Sequence, residues 1–233
     1  MKSYKFLLLD LDGTLLDFDA TEREALRICF EAHGIPHTEE VVAAYQGLNN
    51  ELWAACERGE LTKEVLVANR FVPLLEQLNI PRAEDDRALE EAYQLALRDG
   101  SYLIEGAAEL CGALERTGRF QLYAMSNGVA ATQNGRMDSS GLRHYFADIF
   151  VSGDTGWQKP MPEFFRHCFE RIPDFEQSAA LLIGDSLTAD IRGGMNMGLD
   201  TVWFNPSGAP LPADYEVTYE IRSLAELPGI LGV

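Results

Sequence analysis

The chain has 233 residues, is 46% hydrophobic and carries 37 acidic against 19 basic side chains, a formal net charge of −18 at pH 7. That length suits one large domain or a core with a smaller insertion, and the charge opposes nonspecific binding to nucleic acid polymers or anionic membranes. No run approaches eighteen apolar residues, the early Phe6 to Leu9 run is too short for a signal peptide, and Cys29, Cys56, Cys111 and Cys168 form no Cys-x-x-Cys pair, so the expectation is a cytoplasmic protein with free thiols in which any metal is held by oxygen.

The first β-prone run, Tyr4 to Leu9, leads into Asp10-Leu11-Asp12-Gly13-Thr14. Side chains two apart on a strand share a side, so Asp10 and Asp12 can point together as the chain leaves a sheet, and Gly13 lets the backbone bend. The carboxyl end of a strand in an open α/β sheet is where ligands bind, and a carboxylate pair there suits a cation or a nucleophilic role. A calcium loop of the EF-hand kind would need Gly and Glu where this chain has Leu15 and Thr21.

Some eighty residues with helical periodicity and no convincing strand follow. The first helix starts at Asp19, with Glu22 three residues later as an N-terminal signature, and Gly34 stops it. Further helical segments are expected over Glu39 to Tyr45, Glu51 to Glu57, Thr62 to Leu78 and Arg82 to Leu97. Residues 17–99 are therefore read as a helical cap inserted into a core made of residues 1–16 and 100–233.

From Gly106 onward, apolar runs at Gln121 to Met125, Ile149 to Ser152, Ala180 to Ile183 and Thr201 to Phe204 alternate with helical stretches at Ala107 to Arg116, Asn134 to Ser140, Pro162 to Arg171 and Ala189 to Met197. That alternation predicts a doubly wound α/β core with a parallel sheet, closed by a short run at Val217 to Ile221 and a helical turn near Leu224.

Three of the later segments carry chemistry. Ser126-Asn127-Gly128 ends one strand, where a hydroxyl and the backbone N–H groups of Asn127 and Gly128 suit a phosphoryl oxygen. Lys159 stands between Gln158 and Pro160, with Pro162 in the first turn of the next helix, and can neutralise both a carboxylate and a transferring phosphoryl group. Gly184-Asp185 ends a further strand, with Asp190 five residues on; Asp185 can join Asp10 in a magnesium site, and Asp190 suits a cap or an outer position around it. With a chain charge of −18, an anionic ester would need just such a cation, lysine and amides.

Four strand ends in the order Asp-x-Asp-Gly-Thr, Ser-Asn-Gly, Lys-Pro and Gly-Asp-(x)4-Asp resemble the haloacid dehalogenase-like hydrolase superfamily over the whole chain. The resemblance implies a Rossmann-like core with an α-helical cap between the first two motifs. It makes Asp10 the nucleophile that forms an aspartyl phosphate, Asp12 the acid and then base, Ser126 a phosphoryl ligand, and Lys159 the partner of Asp10. Magnesium would be held by Asp10, the Asp12 carbonyl and Asp185. The superfamily's dehalogenases lack the second aspartate, which disfavours dehalogenation; a β-phosphoglucomutase-like mutase, a phosphosugar phosphatase and an idle phosphometabolite-binding protein remain alternatives.

In the cap and its flanks, Leu16-Asp17-Phe18, Tyr45 to Trp53, Gly59-Glu60-Leu61-Thr62 and Asp154 to Pro160 resemble the YjjG/YfnB branch. That branch implies a nucleoside 5′-monophosphate, pyrimidine or noncanonical, as the small phosphorylated substrate, with Asn49, Asn50 and Trp53 as candidate contacts to base or sugar. Many members place a proline before the glycine that opens the helix after the cap; this chain has Glu105-Gly106. His33, His37, His144 and His167 match no motif and are read as helix-end or surface residues.

Overall fold

The computed structural model describes residues 2–80 and 87–233. Its sheet has six parallel strands, β1 (Phe6–Leu9), β2 (Gln121–Ser126), β3 (Phe146–Val151), β4 (Ala180–Gly184), β5 (Asp200–Phe204) and β6 (Tyr219–Ile221), in the order β3-β2-β1-β4-β5-β6. The order reverses direction at β1, which lies between β2 and β4, so the turn after β1 opens at a topological switch point.

Alternation along the strands divides the interior in two. Leu7 and Leu9 of β1 pack with Leu122, Ala124, Leu181 and Ile183, whereas Phe6 and Leu8 pack with Tyr123, Met125, Phe150 and Leu182. Burial on both faces is why these strands read as continuous apolar runs. Helix α6 (Ala107–Thr117) sends Leu110, Cys111 and Leu114 into the first layer, and α8 (Pro162–Phe169) sends Phe164, Phe165 and Cys168 into the second. In register, Leu9 lies beside Ala124 and Ile183, so the chain leaves β1, β2 and β4 at one edge of the sheet.

The chain divides into two compact units, one of residues up to Phe18 together with Ser101–Val233 and one of Asp19–Gly100. The two strands of chain that leave and re-enter the first unit are paired, Leu16 with Leu103 in an antiparallel bridge and the Asp17 N–H with the Tyr102 carbonyl at 3.0 Å. Gly106 opens α6 at φ +86°, a conformation that glycine adopts without a Cβ penalty.

The Asp19–Gly100 unit is helical: α1 (Phe18–His33, entered one residue earlier), α2 (Glu39–Glu57), α3 (Lys63–Asn69), α4 (Val72–Gln77) and α5 (Arg87–Asp99). Its centre is aromatic, with Tyr45 stacked on Phe71 at 4.9 Å between ring centroids and Phe30 and Tyr93 edge-on around them. Three expectations are corrected here. The segments around Gly47 form one continuous helix, α2, capped by the Thr38 hydroxyl. The stretch read as one helix over Thr62 to Leu78 is two, because Pro73 cannot accept a place deep inside a helix and instead sits in the first turn of α4. Glu22, read as a helix-start residue, is buried in the unit's interior. The expected helix from Arg82 lies outside the described residues up to position 86; from Arg87 it is present. All four cysteines are free and buried, and no helix among the described residues is long and apolar enough to cross a membrane.

Candidate active site

Asp10 and Asp12 follow β1 on a turn that closes when the Gly13 N–H donates to the Leu16 carbonyl at 2.9 Å. Gly13 has φ +81°, and a Cβ there would come within 2.6 Å of Asp185 Oδ2, so only glycine lets this backbone approach the Asp185 carboxylate. Thr14, fully buried, donates to Asp185 Oδ1 at 3.2 Å. The Trp203 indole N–H donates to the Asp185 carbonyl at 2.9 Å and fixes the end of β4 from the β5 side.

After Asp185 the chain makes a π-helical turn, Leu187–Ile191, before α9 (Arg192–Met197), which replaces the start expected at Ala189. The turn carries Asp190 back over β4, and Gly184 leaves room for it, since a Cβ there would lie 2.3 Å from the Asp190 carboxyl carbon. Both Asp190 oxygens are engaged, Oδ1 by Lys159 Nζ at 2.7 Å and Oδ2 by the Ser186 N–H at 3.1 Å.

Lys159 Nζ is buried and makes two further bonds, to Asp10 Oδ1 at 2.5 Å and to the Met125 carbonyl at 2.8 Å. Its backbone is clamped by the Asn127 amide, which accepts from the Lys159 N–H at 2.8 Å and donates to the Lys159 carbonyl at 2.9 Å. Asn127 thus uses its side chain to hold the lysine in place, a task its position in the motif does not reveal. Burial alone would push the Lys159 ammonium down, but Asp10 and Asp190 outweigh it and hold it above its ordinary value.

Ligand oxygens of Asp10, Asp185 and Asp190 all lie within 4.8 Å of one another. Three carboxylates therefore surround one lysine. Burial raises Asp10 well above the usual carboxylate range, with Lys159 opposing and the neighbouring aspartates adding to the rise. Burial and then Asp190 push Asp185 up to about 7. A site of hard oxygen donors with surplus negative charge fits a divalent cation such as magnesium, and the engaged oxygens of Asp190 leave direct ligation to Asp10 and Asp185.

The Ser126 hydroxyl, buried at the end of β2, accepts from the Gly128 N–H at 3.0 Å and from Gln133 Nε2 at 2.6 Å. With both acceptor positions used, its own proton is the donor that remains for an oxyanion. Gln133 and Arg136 belong to α7 (Ala130–Ser139), one turn longer at its start than the helix expected from Asn134. Gln133 Nε2 also donates to Asp12 Oδ2 at 2.5 Å, and Arg136 Nη1 donates to Asp12 Oδ1 and, at 3.1 Å, to Gln133 Oε1. Neither residue was singled out from sequence; the usable signal is their spacing of three, which places both on one helix face just after Ser-Asn-Gly.

In the helical unit, Asn49 is buried and donates to Glu22 Oε1 at 3.1 Å, alongside Gln46 to Oε2 at 3.2 Å and the Tyr93 hydroxyl to Oε1 at 2.8 Å. Burial raises the Glu22 carboxyl, and the Tyr93 and Gln46 hydrogen bonds oppose that rise. Asn50 is exposed on the next face of α2, and Trp53 is half-buried with the Arg70 guanidinium 6.0 Å from its ring. His33 Nδ1 lies 2.8 Å from the Cys29 carbonyl at the end of α1.

A parallel sheet with a carboxylate pair, a hydroxyl, a buried lysine and a further acid at adjoining strand ends defines a Rossmann-like α/β protein with an acidic, cation-ready site at the carboxyl edge of its sheet. The chain belongs to the haloacid dehalogenase-like hydrolase family, whose model matches residues 4–198. It is 47% identical to the HAD-hydrolase YfnB of Bacillus subtilis over all of this chain and 97% of that one, and it superposes on a magnesium-bound crystal structure of YfnB with a TM-score of 0.92 over both chains at 48% identity. It is also 39% identical to the pyrimidine 5′-nucleotidase PynA of Streptococcus pneumoniae, over 96% of this chain and 93% of PynA, and 30% identical to the pyrimidine 5′-nucleotidase YjjG of Escherichia coli, over 98% of each.

Proposed function

We propose that this chain is a magnesium-dependent phosphatase of small phosphate monoesters, and that its substrates are nucleoside 5′-monophosphates of the pyrimidine or noncanonical kind. The observation that carries the reaction class is the buried Lys159, bonded at once to Asp10 and Asp190 and set among carboxylates whose charge it cannot balance alone. The substrate class rests on the likeness to PynA and YjjG.

In this reading Asp10 attacks phosphorus, an oxygen–phosphorus bond forms as the ester bond breaks, and Asp12 gives its proton to the departing alcohol. Asp12 then takes a proton from the water that cleaves the aspartyl phosphate. The Ser126 hydroxyl and the Asn127 backbone N–H donate to the phosphoryl oxygens, the Gly128 N–H expected beside them being bonded to Ser126 Oγ instead, and Lys159 steadies Asp10 and the transferred group. Magnesium would be held by Asp10, Asp185 and the Asp12 carbonyl, with Asp190 in an outer position, and would supply the positive charge that lets a carboxylate approach a phosphate dianion. The helical unit serves as a cap that limits water; of the expected contacts Asn49, Asn50 and Trp53, the buried Asn49 is bonded to Glu22, which leaves Asn50 and Trp53 as the candidates for reading base or sugar. Cytoplasmic residence accords with such a substrate.

The test is phosphate release from a panel of nucleoside monophosphates and sugar phosphates, with magnesium, with chelator, and with Asp10→Asn. Magnesium-dependent preference for pyrimidine monophosphates that vanishes in Asp10→Asn is expected. Preference for sugar phosphates would overturn the substrate class, and an active Asp10→Asn would overturn the nucleophile.

A further inference from the structure

Among the described residues of the core unit, the buried cationic side chains are Lys159 and Arg136, and the second has no place in the four strand-end motifs. Arg136 is 1% exposed; its Nη1 meets Asp12 and Gln133, its ring neighbour is Phe18 at 5.6 Å, and its Nε and Nη2 are buried with no hydrogen bond among the described residues. A guanidinium in that position is held mainly by one carboxylate. That carboxylate is Asp12, whose two oxygens are both taken, one by Arg136 and one by Gln133 at 2.5 Å.

The two donors stand three residues apart on α7, so they form a fork on one rigid element. Because Arg136 donates to Gln133 Oε1, the Gln133 amide is turned with its nitrogen towards Asp12, and the same nitrogen reaches Ser126 Oγ at 2.6 Å. One helix therefore fixes the orientation of Asp12 and ties it to the hydroxyl that faces the phosphoryl group. We propose that Arg136 and Gln133 are positioning residues that form a latch on Asp12, aiming the oxygen that hands a proton to the leaving alcohol and linking its release to occupation of Ser126. This rests on Asp12 being the proton donor, as in the reaction above.

A latch of this kind acts on proton delivery and leaves attack by Asp10 untouched. The experiment is single-turnover release of the leaving group, enzyme in excess, comparing a nucleoside monophosphate, whose alkoxide must be protonated, with p-nitrophenyl phosphate, whose phenolate departs without a proton. Arg136→Met should slow nucleoside release by about a hundredfold, the cost of a misplaced catalytic group, and p-nitrophenol release by less than about tenfold, with little change in substrate affinity. Arg136→Lys should recover part of the loss, and Asp12→Asn with Arg136→Met should be no slower than Asp12→Asn alone.

Equal losses on both esters, or losses that multiply in the double variant, would overturn the latch, because a general disturbance of the fold lowers both. A crystal structure of Arg136→Met gives a second readout free of activity: Asp12 should leave its present orientation, and an unmoved Asp12 refutes the proposal. If Arg136→Met does not fold, Arg136→Lys carries the same comparisons. A wild-type protein that hydrolyses no ester would remove the phosphatase reading itself, and the position of Asp12 in the variants would still decide whether the latch exists.

Discussion

Asp185→Asn is the perturbation that separates the two costs built into the acidic cluster. In the absence of metal, Asp185 is pushed from the ordinary 3.8 up to about 7 by burial and by Asp190, so the folded chain holds its proton more tightly than the unfolded chain. A carboxyl raised in this way destabilises the fold as pH climbs from about 4 through 7 and adds nothing further above 7. At 1.36 kcal/mol per pH unit the full penalty is about 4 kcal/mol. Asparagine keeps the size and the oxygen that accepts from Thr14 but carries no charge. The stability of Asp185→Asn minus that of wild type should therefore rise by about 1.4 kcal/mol per pH unit between pH 4 and 7 and then level off.

The measurement is urea unfolding in chelator at several pH values from 5 to 8, followed by tryptophan fluorescence, to which Trp203, buried and bonded to the Asp185 carbonyl, contributes. In thermal form the same difference is about 8 to 16 °C at pH 8, at 2 to 4 °C per kcal/mol for a chain of this size. Millimolar magnesium should restore wild type at pH 8 and leave Asp185→Asn unchanged. A difference that stays flat from pH 5 to 8 would refute the reasoning, since it would mean that Asp185 is ionised in the fold at no cost.

Asp12→Ala should destabilise the core by about 3 kcal/mol in urea unfolding because it strands the buried Arg136, an unusual result for loss of a catalytic carboxylate, while Asp12→Asn should cost less. Lys159→Met should abolish phosphate release and also lower stability by about 3 kcal/mol in chelator, because Asp10 and Asp190 lose their shared cation, with magnesium recovering part of the stability but no activity. Gly13→Ala should strain a φ of +81° and drive a methyl into Asp185, so the magnesium concentration for half-maximal activity, or for half-maximal thermal protection, should rise by about tenfold or more.

The four strand ends were legible because each is a local signal: an apolar run, a turn residue and a polar group within five or six positions, with no long-range information needed. The same locality explains what was missed. Gly47, Asn49 and Asn50 look like a break in a helix, but Asn49 and Gln46 bond to Glu22 across the unit, and that tertiary contact carries α2 through a weak stretch. Glu22 stands where a capping residue would, yet its role is set by Tyr93, seventy-one positions away. Gln133 and Arg136 escape a local reading because Ala130 to Gln133 carries no helix-start signal, so a helix predicted from Asn134 leaves Gln133 outside it and hides the face that the two share.

Asp10 and Asp12 are two residues apart on one turn, yet in the proposed reaction their surroundings suit them to opposite work. Asp10 is nearly closed to solvent and bound to Lys159, which comes from the loop before α8; the Asp12 side chain keeps 30% of its surface and is bound to Arg136 from α7. Each carboxylate thus has its own buried cation on a different element. A nucleophile gains from the first setting, where dry walls and fixed positive charge hold one oxygen towards phosphorus and keep water from competing. A proton carrier needs the second, since it must meet the leaving alcohol and then a water from outside. In the proposed reaction these partners, more than the motif, keep the two roles apart, because Lys159 is clamped by Asn127 and Arg136 is carried on α7.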